Sequence, residues 1–147
     1  MKIIVQVSKN ASVKVLEHHE ERIDFGYTLL VGFSETDTFS DVDKMIKKLL
    51  KLRVFPDERG KQNLNIMDVN GSILSISQFT LYANLKDGNR PSYVDAMKYE
   101  KASAFYDYFN QELQKCVPVK TGVFGSEMYL TLTNVGPITI IMDSADM

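Results

Sequence analysis

The chain has 147 residues, 44% of them hydrophobic and 24% charged, with a formal net charge of −2. That describes one globular domain over residues 1–147, and it excludes a low-complexity chain or a protein that wraps nucleic acid by bulk positive charge. The single cysteine, Cys116, excludes an internal disulfide, and Met1 to Lys9 is too short an apolar run for a signal peptide or membrane span, so the expected location is the cytoplasm.

Ile3 to Val7 reads as a first strand. Ser8-Lys9-Asn10 reads as a turn, and Ala11 to Val15 alternates as a strand with one wet face. Glu17 to Arg22 is too polar for a core and reads as a loop or hairpin. His18 and His19 are neighbours pointing to opposite faces with no third ligand in view, which makes them solvated rather than metal-binding. Phe25 to Phe33 reads as a buried strand. Gly26 and Gly32 near its ends suit a bulge or the close approach of another backbone, and the phosphate-loop spacings are absent.

Ser40 is the expected cap of a first helix, with Asp41 and Asp43 near its positive end. Val42, Met45, Ile46, Leu49 and Leu50 form its apolar stripe, with Lys44, Lys47, Lys48 and Lys51 mostly off it. Pro56 to Gly60 is a turn, and Lys61 to Val69 is ambiguous. After Asn70-Gly71 comes the stretch that organises the chain, Ile73 to Ala83, expected as a mostly buried strand. Ser75, Ser77, Gln78 and Thr80 fall within it. So many polar groups on an inward strand imply a satisfied network or a pocket wall. A polar loop, Asn84 to Ser92, would rim such a pocket. Lys86, Arg90, Lys98 and Lys101 form a basic patch that charge alone reads as solvated surface.

A second helix is expected from Lys98 to Lys115, burying Ala102, Phe105, Tyr106, Phe109 and Leu113, with Cys116 extending the stripe as a buried thiol. Strands follow at 119–123, 128–133 and 138–143, the last apolar enough to be central, and the tail from Ser144 should fray. Seven or eight short strands and two helices give an α+β domain: an antiparallel-dominated rolled sheet or small β-barrel with helices packed outside.

Common catalytic constellations are missing. There is no HExxH, CxxC or EF-hand loop, and a serine triad would have to draw on His18 or His19 in a polar stretch. Either the protein is not an enzyme, or its chemistry relies on backbone groups, hydroxyls and the substrate itself. Gly136-Pro137 suits that, because glycine before proline lacks the side-chain clash that restricts other residues. On sequence alone its peptide bond is expected to be trans.

Two motifs then stand out. Ser77-Gln78-Phe79-Thr80-Leu81 resembles the SQFTL motif of D-aminoacyl-tRNA deacylases, and Asn134-Val135-Gly136-Pro137-Ile138-Thr139 resembles that family's NxGPxT motif, with Asn134 and Thr139 as supporting positions. Asn89 to Tyr93 and Gly122 to Met128 match as well, so the resemblance runs from Met1 to about Asp143. Departures are Val7, where family members often carry arginine, and Gln62-Asn63, where Met-Asn is common.

The resemblance implies a homodimer of barrel-like subunits that hydrolyses the ester of D-aminoacyl-tRNA, or of glycyl-tRNA mischarged on tRNA-Ala, without metal or cofactor. No membrane or DNA partner is implied. Gly136 and Pro137 would be a chirality filter, cis and reaching across the dimer. Ser77 and Gln78 would bind the terminal adenosine and ester, with Phe79 and Thr80 at the catalytic position. Backbone N–H groups around Phe79 and Thr80 suit an oxyanion. A threonine nucleophile needs a base and none is evident, so attack by water positioned by Thr80 is favoured over attack by Thr80 itself. Two other classes are weighed against this enzyme: a non-catalytic dimeric module that holds a tRNA 3' end, and a structural protein whose polar strand is a satisfied core network.

Overall fold

The computed structural model describes residues 1–16 and 19–147. Its first element is a long antiparallel hairpin of β1 (Lys2–Val15) and β2 (His19–Gly32), paired in one register from Lys2 opposite Gly32 to Val15 opposite His19. The chain therefore does not turn at Ser8-Lys9-Asn10. Lys9 and Asn10 are exposed, Asn10 takes a left-handed φ of 50°, and the strand bends there while pairing continues. Of the loop or hairpin expected there, His19 to Arg22 takes the hairpin form, as strand, because the wet half of β1 offers Lys14 opposite Glu20 and Ser12 opposite Arg22. Glu17 and His18, part of the same expected loop, lie outside the described residues.

The helix α1 (Phe39–Leu50) buries the five expected residues. Its cap is Thr38 rather than Ser40. The Thr38 hydroxyl accepts from the Asp41 N–H at 3.3 Å while the Thr38 N–H donates to the Asp41 carboxylate at 2.9 Å, a reciprocal capping box. Asp43, also near the positive end of the helix, accepts from the Tyr108 hydroxyl at 2.8 Å and ties α1 to the second helix. A small two-stranded sheet follows, β3 (Phe55–Pro56) with β4 (Gln62–Leu64). Next come β5 (Ser72–Ser77), a 3-10 turn over Phe79–Tyr82, α2 (Tyr99–Gln114), β6 (Val119–Thr121) and β7 (Tyr129–Asp143).

The main sheet has five strands in the order β6-β5-β2-β1-β7. The long β1–β2 and β1–β7 pairings are antiparallel and the shorter β2–β5 and β5–β6 pairings parallel. Ile3, Val5, Val7, Tyr27, Leu29, Val31 and Ile73 pack against the two helices. Ala11, Val13, Val15, Ile23, Leu74 and Ile76 form a second core with Leu130 and Leu132. The sheet rolls around this second core. A Cβ placed on Gly122, just beyond β6, would lie 3.6 Å from Val13 of β1 and 3.4 Å from Ile76 of β5.

Three other expectations are corrected. The strand predicted to reach Ala83 stops at Ser77, because the chain turns at Gln78, whose N–H donates to the Val31 carbonyl at 2.7 Å. The C-terminal strand is not central; β7 is an edge strand, continuous through Asn134 to Pro137, with Ile141 72% exposed. Cys116 is exposed, since α2 ends at Gln114 and Val117 takes the buried place instead. The tail is also fastened: the Ser144 N–H donates to the Met1 carbonyl at 2.8 Å, and the Met1 amino group bonds Asp37 and Ser144. No helix among the described residues is long and apolar enough to cross a membrane.

Candidate active site

Where β2 and β5 end side by side, a cavity of about 790 Å³ opens, within the range of small-ligand pockets. One wall is the ends of the two strands, Leu30 to Phe33 and Ile76 to Gln78. Phe79 starts the 3-10 turn at its mouth, the start of α2 with Tyr99 and Ala102 closes another side, and Phe124 to Met128 closes the third. The wall is mainly apolar. Its charged side chains are Lys98 and Glu127.

The rim is aromatic. Phe79 meets Tyr93 edge to face at 4.9 Å, and Tyr99 meets Phe124 the same way at 5.1 Å. Gly125, with a φ of 77°, has no side chain because Tyr99 lies over it; a Cβ there would be 2.6 Å from the Tyr99 hydroxyl. The Lys98 N–H donates to Glu35 at 2.6 Å, and that bond is the main reason the Glu35 carboxyl is held below the usual carboxylate range. This bond and the Lys101–Glu35 contact fasten the start of α2 to the end of β2.

Four residues of the first motif differ in their placement. Ser77, Gln78 and Phe79 line the cavity, while the Thr80 side chain does not. Gln78 Nε2 donates to Thr80 Oγ1, which leaves the hydroxyl oxygen holding an amide rather than a base. Within the described residues, neither the Phe79 N–H nor the Thr80 N–H has an acceptor, as expected for the first residues of a helical turn. The turn sits hard on Gly32. A Cβ at Gly32 would be 2.8 Å from the Gln78 carbonyl oxygen and 3.3 Å from Leu81 Cβ. The close backbone approach that the glycine suggested is therefore this one. Behind the motif, the buried Tyr106 hydroxyl donates to the Ser75 carbonyl at 2.7 Å, and burial pushes that hydroxyl above its ordinary pKa.

The second motif lies apart from the cavity of its own chain. The Gly136-Pro137 peptide is cis, against the trans expectation from sequence alone, and both residues are exposed on β7. Gly136 has a φ of 117°, and a Cβ there would lie 2.6 Å from the Ile138 nitrogen, so only glycine fits. Asn134 closes the base of this loop, its amide donating to the Val7 and Ile138 carbonyls at 3.0 Å each. Thr139 Oγ1 donates to Asn134 Oδ1 at 3.0 Å. The supporting pair Asn134 and Thr139 is thus one hydrogen-bonded unit.

Sequence reasoning missed Gly32 as a wall residue, Tyr93 and Tyr99 on the rim, and Gln6, whose Nε2 donates to Asn134 Oδ1 at 3.3 Å. Gly32 carried a signal in its position at a strand end. Tyr93 carried one in the Asn89 to Tyr93 match, and Tyr99 carried none, since it falls in no motif and no periodic stripe.

The model of a family described as D-Tyr-tRNA(Tyr) deacylase matches residues 4–143. A solved structure titled "c-Myc DNA Unwinding Element Binding Protein" is 38% identical, covering 97% of this chain and 98% of its own, with a TM-score of 0.90. A second, titled as a probable eukaryotic D-amino acid tRNA deacylase, is 16% identical over 96% of this chain and 97% of its own at a TM-score of 0.85, a likeness of fold alone.

Proposed function

We propose a mechanism for this chain, which belongs to the D-Tyr-tRNA(Tyr) deacylase family and is a hydrolase of D-aminoacyl-tRNA. The observation that carries it is the N–H group of Phe79, without an acceptor among the described residues, at the mouth of the cavity, with the equally unpartnered Thr80 N–H next to it in the same turn. The terminal adenosine enters between the strand ends and the Tyr99–Phe124 wall, and the ester carbonyl lies at the turn. Water attacks the carbonyl carbon, and the two N–H groups hold the oxyanion of the tetrahedral intermediate. The bond to the ribose oxygen then breaks, that oxygen takes a proton, and free D-amino acid and tRNA leave. Thr80 Oγ1 lies outside the cavity wall and acts through the Gln78 side chain whose amide it accepts from, which together with the ribose hydroxyl positions the water. The Thr80 oxygen is bonded by the Gln78 amide, and an amide cannot take a proton from it, which disfavours Thr80 as the nucleophile.

Chirality is read by Gly136 and Pro137 acting on the cavity of a second copy. Their support is placement: both are exposed, neither lines the cavity of its own chain, and β7 has a free edge. A wall of carbonyl groups would accept the substrate ammonium and clash with the L-configuration at Cα, selection by repulsion that leaves the D-side chain unread. Glycine, with no side chain, passes such a filter, so glycyl-tRNA mischarged on tRNA-Ala is a substrate too. The working form is a cytoplasmic homodimer.

Matched D-, L- and glycyl-tRNA esters test the reading. Rapid loss of the D- and glycyl-esters with the L-ester spared is the expected result, and binding of all three without turnover would refute it. Thr80→Ala should slow turnover, and trapping of an acyl group on Thr80 in the native enzyme would overturn water attack.

A further inference from the structure

We propose that Gln6, which lies in neither motif, is a specificity-determining positioning residue that orients the amide clamping the Gly136-Pro137 loop. The proposal rests on the reading of that loop as the chirality filter.

The pairing of β1 with β7 shows where the loop comes from. Gln6 is opposite Thr139 and Ser8 is opposite Asn134. Val7 alone therefore faces the whole of Val135 to Ile138, and the extra residues are pushed out of the ladder as a wide bulge. Such a bulge keeps its aim only if its neck is held. Asn134 holds it by donating one amide group to the Val7 carbonyl and the Ile138 carbonyl, each at 3.0 Å.

That clamp works in one orientation of the amide. Both carbonyls can only accept, so the nitrogen must face them and the oxygen must face the other way. On that other side the oxygen meets the Gln6 Nε2 at 3.3 Å and the Thr139 hydroxyl at 3.0 Å. The hydroxyl can rotate to donate or accept, and so cannot choose the orientation. The two carbonyls set the orientation, and the Gln6 NH₂ group, which has no acceptor capacity, reinforces it from the opposite side. Gln6 thus holds the Asn134 oxygen in place and keeps the neck of the loop closed.

The test measures kcat and KM on matched D- and L-aminoacyl-tRNA for Gln6→Glu and Gln6→Met. A carboxylate at position 6 offers only acceptors, so it repels the Asn134 oxygen that Gln6 holds and strains the clamp on the two carbonyls. Gln6→Glu should lower the D-to-L ratio of kcat/KM about tenfold, a factor in reach of one hydrogen bond, through faster L-ester hydrolysis. Its kcat on the D-ester should stay within about threefold of the native value. Gln6→Met, which removes the preference without reversing it, should give a smaller drop, and it decides the matter if Gln6→Glu does not fold. Asn134→Asp, of the same shape but unable to donate, should behave like Gln6→Glu. An unchanged ratio in the folded variants, or equal losses on both esters, overturns the proposal. If the native enzyme itself does not distinguish D from L, the filter reading fails first and the proposal falls with it.

Discussion

Gly32→Ala should separate catalysis from stability. Gly32 has a backbone conformation open to alanine, so the added methyl is the whole perturbation. Its carbon would lie 2.8 Å from the Gln78 carbonyl oxygen, a contact with backbone rather than with the tip of a flexible side chain. Restoring an ordinary separation requires the Gln78–Leu81 turn to move by about 0.5 Å relative to β2. A misplacement of about 1 Å can cost about a hundredfold in rate, so half of that should lower kcat about tenfold. Single-turnover deacylation of a D-aminoacyl-tRNA measures the chemical step directly. KM should change less than kcat, because one of the two proposed adenosine walls, at Tyr99 and Phe124, lies on other elements. The thermal midpoint should fall by no more than a few degrees, since the strained turn is at the surface. A Gly32→Ala enzyme with native kcat would refute the placement of the oxyanion amides on this turn. A loss of folded protein that matches the loss of rate would refute the separation.

Tyr106→Phe should cost about 1 kcal/mol in a denaturant titration, the net worth of the bond to the Ser75 carbonyl, which keeps the Gly122 N–H at 3.3 Å; an unchanged midpoint would show that the bond contributes nothing. Thr38→Ala removes the cap of α1 and should cost about 1 kcal/mol near neutral pH. The Thr38 hydroxyl and then its N–H hold the Asp41 carboxyl below the usual carboxylate range. A folded pKa below the unfolded one stabilises at pH above the unfolded value and is lost as pH falls through the folded one, so the gap between native and variant should narrow below about pH 4. A gap independent of pH would refute that linkage. Ile141→Glu places a charge on the exposed face of β7 and should yield a monomer in sedimentation that no longer discriminates D from L; a variant that remains a discriminating dimer would move the interface elsewhere.

Sequence was a good guide to the helices and a poorer one to the strands, and the reason is the period of each pattern. The stripe of Val42, Met45, Ile46, Leu49 and Leu50 has one helical solution, and the structure buries all five. Polar stretches such as Lys9-Asn10 and Glu20 to Arg22 have no such signature. They became strand because a partner strand was already fixed opposite them, by Tyr27 opposite Val7 and Leu29 opposite Val5. A residue's place in the sheet was equally hidden. Ile138 to Met142 is as apolar as a central strand, yet β7 has a neighbour on one side only. Apolar residues on an edge strand look the same in sequence whether they are destined for a core or for another copy of the chain.

The site divides along the same line. Ser77 and Gln78 were legible as candidates because polar groups in an inward run must be satisfied or face a cavity, and Phe79 only through the resemblance of its motif; all three line the cavity, whereas Ser75 and Thr80 of the same polar run do not. What sequence could not supply is that the run ends at Ser77 and turns, which exposes the N–H groups of Phe79 and Thr80 instead of placing them in a sheet ladder. That turn is set from outside the motif, by the Val31 carbonyl that takes the Gln78 N–H at 2.7 Å and by the missing side chain of Gly32. The second motif follows the same logic. Gly136 and Pro137 give the loop its shape, but its neck is closed by Asn134, whose partners at Val7 and Gln6 are more than a hundred residues away in sequence. Both motifs are therefore the variable ends of longer constructions anchored in β1 and β2. On the proposed mechanism, substitutions in those two strands should disturb the chemistry as strongly as substitutions in the motifs themselves, and more selectively, those in β2 changing rate through the turn and those in β1 changing chirality through the loop.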